Sequence, residues 1–202
     1  MVFRFMLLTK NDKMKAHIRY FILILGIAFL TGCCLQKTHF TAEEMQWLNP
    51  YEEGDTLIFQ STKGEVDTSW IVQKTIYHSR AGCNPINAHG THQYHTGRIY
   101  YQNSTEKYSS GGRSLISIMK TRKRTGFSVS YIGTTYSFYD VSEVWDIKSD
   151  SIYIFQARYY NHPNARSDQI DYLHWHENHG IIKYITHADV EWKRINMDYE
   201  FE

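Results

Sequence analysis

The connections between its apolar runs constrain this chain more than the runs themselves. From Asp55 onward, stretches rich in Val, Ile, Thr, Tyr, Phe and Trp are separated by polar breaks such as Thr62-Lys63-Gly64-Glu65, Lys148-Ser149-Asp150, Glu177-Asn178-His179-Gly180 and His187-Ala188-Asp189. Parallel neighbours need crossovers of about a dozen residues or more, whereas antiparallel neighbours close through tight turns. Breaks this short predict an antiparallel meander. The expected strands are Asp55–Ser61, Val66–His78, Arg98–Gln102, Arg113–Thr121, Gly126–Ile132, Tyr136–Val141, Glu143–Lys148, Ser151–Tyr160, Ile170–His176, Gly180–Thr186 and Val190–Ile195. Val66, Thr68, Trp70, Val72 and Ile76 alternate onto one face, while Ser151-Ile152-Tyr153-Ile154-Phe155 is apolar on both. Strands apolar on both faces fit a sheet curved around a core, so the fold class is mainly β, a partial barrel or sandwich.

One helix precedes the strands. In Phe40-Thr41-Ala42-Glu43-Glu44-Met45 the Thr41 hydroxyl can accept from the Glu44 amide while the Glu44 carboxylate reaches back, with Phe40 and Met45 at the staple positions. Asn49-Pro50 ends the turn, which predicts a short N-terminal helix over about 42–48 covering one opening of the sheet. The longest irregular stretch, Ser79–Gly97, is rich in His, Asn and Gly. A loop of that length is usually functional or mobile.

Charge is placed unevenly. The 202-residue chain has a net charge of +1, yet residues 1–32 hold Arg4, Lys10, Lys13, Lys15 and Arg19 against only Asp12, which leaves a mildly acidic remainder. Its cations are scattered, and Arg122-Lys123-Arg124 reads as a hairpin turn, so no nucleic-acid partner is expected. Phe21 to Leu30 is uninterrupted apolar sequence behind Lys13, Lys15 and Arg19, and it stops at Thr31-Gly32. Crossing a bilayer takes about 20 apolar residues, so this run is too short to span; a basic flank, a short apolar run and small residues make a secretory signal. Met14 offers a more compact start.

Leu30-Thr31-Gly32-Cys33 resembles the lipobox of bacterial lipoproteins. The hairpin sequences Pro50–Phe59, Asn178–Tyr184 and Val190–Trp192 resemble those of small uncharacterised envelope lipoproteins of Bacteroidota. The resemblance implies a signal peptide over 1–32, cleaved before Cys33, a lipidated tether over 33–40 and a single β-rich domain over 41–202. It also implies diacylglycerol on the Cys33 thiol and acylation of its freed amine, palmitate-type chains that hold the protein at a membrane. Cys34 stands where an Asp would retain the protein at the inner membrane, and Leu35-Gln36-Lys37-Thr38 lacks an acidic export cluster, so the expected address is the outer membrane, facing the periplasm. Once lipid takes Cys33, the remaining thiols Cys34 and Cys83 either pair as a disulfide or stay free or packed.

Eleven histidines raise the question of metal. His89, His92 and His95 recur at intervals of three, and His174 and His176 share a strand face. Imidazole serves Zn and Cu, but neither spacing matches a defined zinc signature, so these five are candidates only, with solvated or structural roles preferred and no cofactor assigned beyond the lipid. No Gly-x-Ser-x-Gly element occurs, no base stands beside a cysteine, and Gly111-Gly112 precedes a strand rather than a helix. The first reading is therefore a non-catalytic binding or assembly module at the envelope for a protein, peptide or glycan; a histidine-based metal-binding lipoprotein comes second and an envelope hydrolase third. Tyr94, Tyr100, Tyr101, Tyr108, Tyr159, Tyr160 and Trp175 are the candidate stacking aromatics.

Overall fold

Strands with short turns can bury their apolar side chains in a sheet that bends back on itself. In a computed structural model that describes residues 15, 17–24, 36–79, 92–104, 112–145, 148–149, 151–157 and 167–197, this is the solution adopted. The chain forms two compact units, Met1–Lys37 with Arg80–Gln93, and Thr38–Ser79 with Tyr94–Glu202. In the first, residues 17–24 are helical and expose Ile18, Tyr20, Phe21, Ile22, Leu23 and Ile24. Its β1 (Gln36–Lys37) runs parallel to the start of β4 (His92–Asn103), with Gln36 opposite His92. Among the described residues, no helix is long and apolar enough to cross a membrane.

The second unit holds β2 (Thr56–Ser61), β3 (Val66–Ser79), most of β4, β5 (Arg113–Lys120), β6 (Thr125–Tyr131), β7 (Thr134–Phe138), β8 (Lys148–Ser149), β9 (Ile152–Gln156), β10 (Ile170–His176), β11 (Gly180–Thr186) and β12 (Glu191–Arg194). Their order is β7-β6-β5-β4-β3-β2-β12-β11-β10-β9-β8, every pairing antiparallel. The meander expected from the short breaks is thus present, and the sheet is nearly closed and barrel-like. Across its seam, the Tyr136 hydroxyl donates to the Ile170 carbonyl at 3.3 Å and Thr134 Oγ1 accepts from the Ile170 amide at 3.1 Å.

Helix α1 (Ala42–Met45) and the turns after it pack against strands from both halves of this sheet. Trp47 and Leu48 are fully buried. The Trp47 ring lies against Phe127 on β6, Tyr153 and Phe155 on β9 and Trp175 on β10. Leu48 fills the space beside Gly97, where a Cβ would collide with its methyl group. Tyr51 completes the contact: its hydroxyl accepts from the Ile181 amide at 2.9 Å, and its ring lies where a Cβ at Gly180 would be. Gly180 has φ +71°, a left-handed conformation that glycine adopts without strain.

On β3 the apolar alternation faces outward. Val66 and Trp70 are exposed, whereas Asp67, Ser69 and Ile71 are buried. Asp67 and Ser69 are tolerated inside because they are hydrogen-bonded: Asn103 Nδ2 donates to both Asp67 oxygens at 2.9 Å and to Ser69 Oγ at 2.8 Å, and the Tyr184 hydroxyl reaches Asp67 at 3.3 Å.

Two expected elements differ in kind, and the helix expected over about 42–48 stops at Met45. Glu143–Lys148, read as a strand, is instead a second short helix, α2 (Ser142–Trp145), followed by β8. Asp140 causes this: its carboxylate accepts from the Ser142 amide at 3.1 Å while Glu143 Oε1 accepts from the Asp140 amide at 3.2 Å, a reciprocal cap. Residues 92–97, assigned to a long loop, already belong to β4, whose register continues to Ser79 opposite Tyr94. The hairpin turns hold as expected: Gly64 sits at φ +83° between β2 and β3, and Arg124 closes the β5–β6 turn with its guanidinium over the Tyr139 ring, 3.3 Å from the centroid.

Because Trp47 joins both halves of the core, Trp47→Ala should lower unfolding free energy by about 3–5 kcal/mol. Gly180→Ala should also destabilise, through both the left-handed backbone and the Tyr51 ring. Urea midpoints of both variants against the parent check this.

Candidate histidine site

The site is built by register. His78 on β3 lies directly opposite His95 on β4, and His95 lies opposite Lys120 on β5. Directly opposed residues of antiparallel strands share a face, so the two imidazoles stack, with centroids 4.5 Å apart and planes at 7°. His39, just before α1, meets both edge-on, 5.0 Å from His78 and 5.8 Å from His95. One ligand nitrogen from each ring lies within 4.8 Å of the other two, and among the described residues this is the cluster of three whose spacing could hold a metal ion. His39 is exposed; the other two are half-buried.

Thr38 and Phe40, on either side of His39, are both fastened. Thr38 Oγ1 donates to the Lys120 carbonyl and accepts from the His95 amide, both at 2.9 Å. The Thr38 carbonyl accepts from His78 Nε2 at 3.0 Å. The Phe40 amide donates to His95 Nδ1 at 2.9 Å, and the Phe40 ring stacks on the same imidazole at 4.1 Å. Behind them the predicted capping box is complete: Glu44 accepts from the Thr41 amide at 2.7 Å and the Glu44 amide donates to Thr41 Oγ1 at 3.2 Å. The Glu44 carboxylate also takes Lys120 Nζ at 2.7 Å and the Thr125 hydroxyl. Burial pushes this carboxyl up, but hydrogen bonds from Lys120, Thr125 and the Thr41 amide outweigh it and hold it below the usual range.

These bonds also define the imidazoles. A carbonyl can only accept, so neutral His78 carries its proton on Nε2 and leaves a lone pair on Nδ1; an amide can only donate, so His95 offers its Nδ1 lone pair to Phe40 and carries its proton on Nε2. Burial, then the neighbouring His78 and His39, holds His95 below the ordinary imidazole range.

Of the histidines singled out in the sequence, His95 belongs to this cluster. His92 lies in the first unit, paired in register with Gln36. His174 and His176 lie on β10, where a bulge between His174 and Trp175 interrupts the register with β11. His176 is buried against His179, rings 4.7 Å apart, and its Nδ1 accepts from the Asn178 amide at 3.1 Å. His89, Cys33, Cys34 and Cys83 lie outside the described residues. Sequence reasoning passed over His39 and His78. The available signal was a register count: if the strands flanking the loop are read inward as a hairpin, His78 and His95 face one another.

A second concavity, a groove of about 700 Å³, opens along the seam and is lined by Tyr136, Phe138, Ile154, Phe155, Gln156 and Asp171 among others. At its rim His187 Nδ1 lies 3.1 Å from Asp171 Oδ2. Of the candidate stacking aromatics, Tyr101 and Trp175 are core residues, and Tyr108, Tyr159 and Tyr160 lie outside the described residues. Comparison with known proteins finds no matching family model, no matching curated protein and no matching solved structure.

Burial, followed by Lys183 across the strand, pushes His174 down to about 4 from an ordinary 6.5. The folded ring therefore stays neutral where the unfolded ring protonates, so the unfolded chain binds more protons between these values. The stability associated with His174 is complete above about pH 6.5 and is lost as pH falls toward 4. His174→Gln should flatten that part of the slope, seen as a smaller fall in urea midpoint between about pH 7.5 and 4.5.

Proposed function

We propose that this chain is a lipid-anchored protein of the bacterial envelope, held through Cys33 at the periplasmic face of the outer membrane, and that it works by binding rather than catalysis with the His39, His78 and His95 cluster as its ligand site. The observation that carries the binding reading is where the ring hydrogen bonds go. His78 donates to the backbone of Thr38 and His95 accepts from the backbone of Phe40, so neither bond sets an imidazole as base for a hydroxyl or thiol nucleophile.

The anchor rests on Leu30-Thr31-Gly32-Cys33 behind a short apolar run, and the exposure of Ile18 to Ile24 in helical form supports it, because a signal segment must present apolar surface to something other than its own core. Four residues lie between Cys33 and Thr38, so a lipid on Cys33 leaves at most about 18 Å of chain between the anchor and Thr38. A hydrolase is the second reading, favoured by the His187–Asp171 pair beside the seam groove.

Expressed in a bacterium with lipoprotein processing, the parent chain should lose residues 1–32 and gain acyl mass, and Cys33→Ser should keep precursor size and leave the detergent-rich phase. Intact mass and detergent partition read both. Identical size and partition for parent and variant would contradict the anchor.

A further inference from the structure

We infer that His39, His78 and His95 form a three-imidazole site for one transition-metal ion of the zinc or copper(II) class. The inference rests on this cluster being the ligand site and names what it takes. Three imidazoles with no thiolate or thioether suit these ions over calcium or magnesium, which prefer oxygen. Three protein donors also leave a coordination position for water or an external ligand, as open zinc sites do.

The hydrogen bonds say how each ring would serve. His78 is already set: its Nε2–H donates to the Thr38 carbonyl, so its Nδ1 lone pair is available and the outer bond fixes the ring, the arrangement metal-ligating histidines use. His39 is exposed and edge-on to both partners, so it can swing onto an ion without leaving a packed position. His95 differs. Its lone pair faces the Phe40 amide, so it ligates either through Nδ1 by displacing that amide, or through Nε2 after its proton moves to Nδ1. Either route breaks the Phe40–His95 hydrogen bond.

Distance and charge permit this. Tetrahedral zinc bonds of about 2.05 Å place donor atoms about 3.3 Å apart, and the three nitrogens start within 4.8 Å. Lys120 lies opposite His95, and Glu44 pairs with it at 2.7 Å. Among the described residues His39 is the exposed member, so an ion enters and leaves from that side, which fits an exchangeable ion at the membrane surface.

The test is calorimetric titration of the untagged full chain, solubilised in detergent and stripped with chelator, with zinc chloride and separately with copper(II) chloride. His39→Ala tests the site without removing a buried side chain, and His174→Gln is the control histidine. The expected result is one ion per chain with Kd at or below the micromolar range, weakened at least about tenfold by His39→Ala and unchanged by His174→Gln, with the Phe40 amide resonance shifting on binding. No binding tighter than micromolar for either ion overturns the inference. So does binding that survives His39→Ala, or that falls with His89→Ala instead. The titration is read without reference to membrane partition, so it can fail while the lipid anchor stands.

Discussion

The placement of residues 38–48 decides both the core and the site, and Glu44 is what places them. Its carboxylate caps its own helix through the Thr41 amide, and it meets Lys120 of β5 and Thr125 of β6 across the sheet. A helix of one turn has little stability of its own. Joined to two strands at its N-terminus, it presents Trp47 and Leu48 inward on one side, while the residues before it run alongside the ends of β3 and β4. If Glu44 let go, Thr38, His39 and Phe40 would lose their anchor behind and the imidazole pair would lose its third member.

The sheet accepts this insertion because its two ends approach without pairing along their length. Tyr136 and Thr134 reach from β7 to the backbone at Ile170, and the groove occupies what is left of the seam. The interior is divided in character. Around Trp47 it is aromatic throughout; around Asp67 it is a hydrogen-bonded set of Asn103, Ser69, Tyr184 and Tyr131, the last joined to Ser69 at 3.0 Å. Burial first, then the Asp67 charge, raises the Tyr131 and Tyr184 hydroxyls well above the ordinary phenol value, so both stay protonated across the physiological range. The neutral donors Asn103, Ser104 and Tyr184 keep the buried Asp67 carboxylate hydrogen-bonded.

What could be read from residues alone was whatever depends on neighbours in sequence. Thr41 with Glu44 announced α1, Gly64 announced the first hairpin, and the short breaks fixed the antiparallel order. The Asp140–Glu143 cap is legible by the same spacing rule as Thr41–Glu44, but the apolar alternation of Glu143-Val144-Trp145 points to a strand instead. Trp70 and Val66 sit on the apolar-alternating face of β3, yet they face outward because Asp67 and Ser69 find partners inside that lie 34 to 117 residues away. The histidine cluster was half legible. His95 stood out within His89-x-x-His92-x-x-His95, but its ring neighbours come from β3 by register and from residues 39–40 before α1 by packing, and neither leaves a local spacing to detect.

Thr38 and Phe40 hold the two stacked imidazoles in one protonation pattern, and the histidine site depends on it. Long-range proton–nitrogen correlation spectra of the full chain in detergent, above the histidine titration range, measure that pattern directly. The account predicts that His78 and His95 both carry their proton on Nε2, with the Phe40 amide shifted by its imidazole acceptor. A proton on Nδ1 of either ring would mean that residues 38–40 do not lie where the sheet requires them, and the three histidines would not share a site.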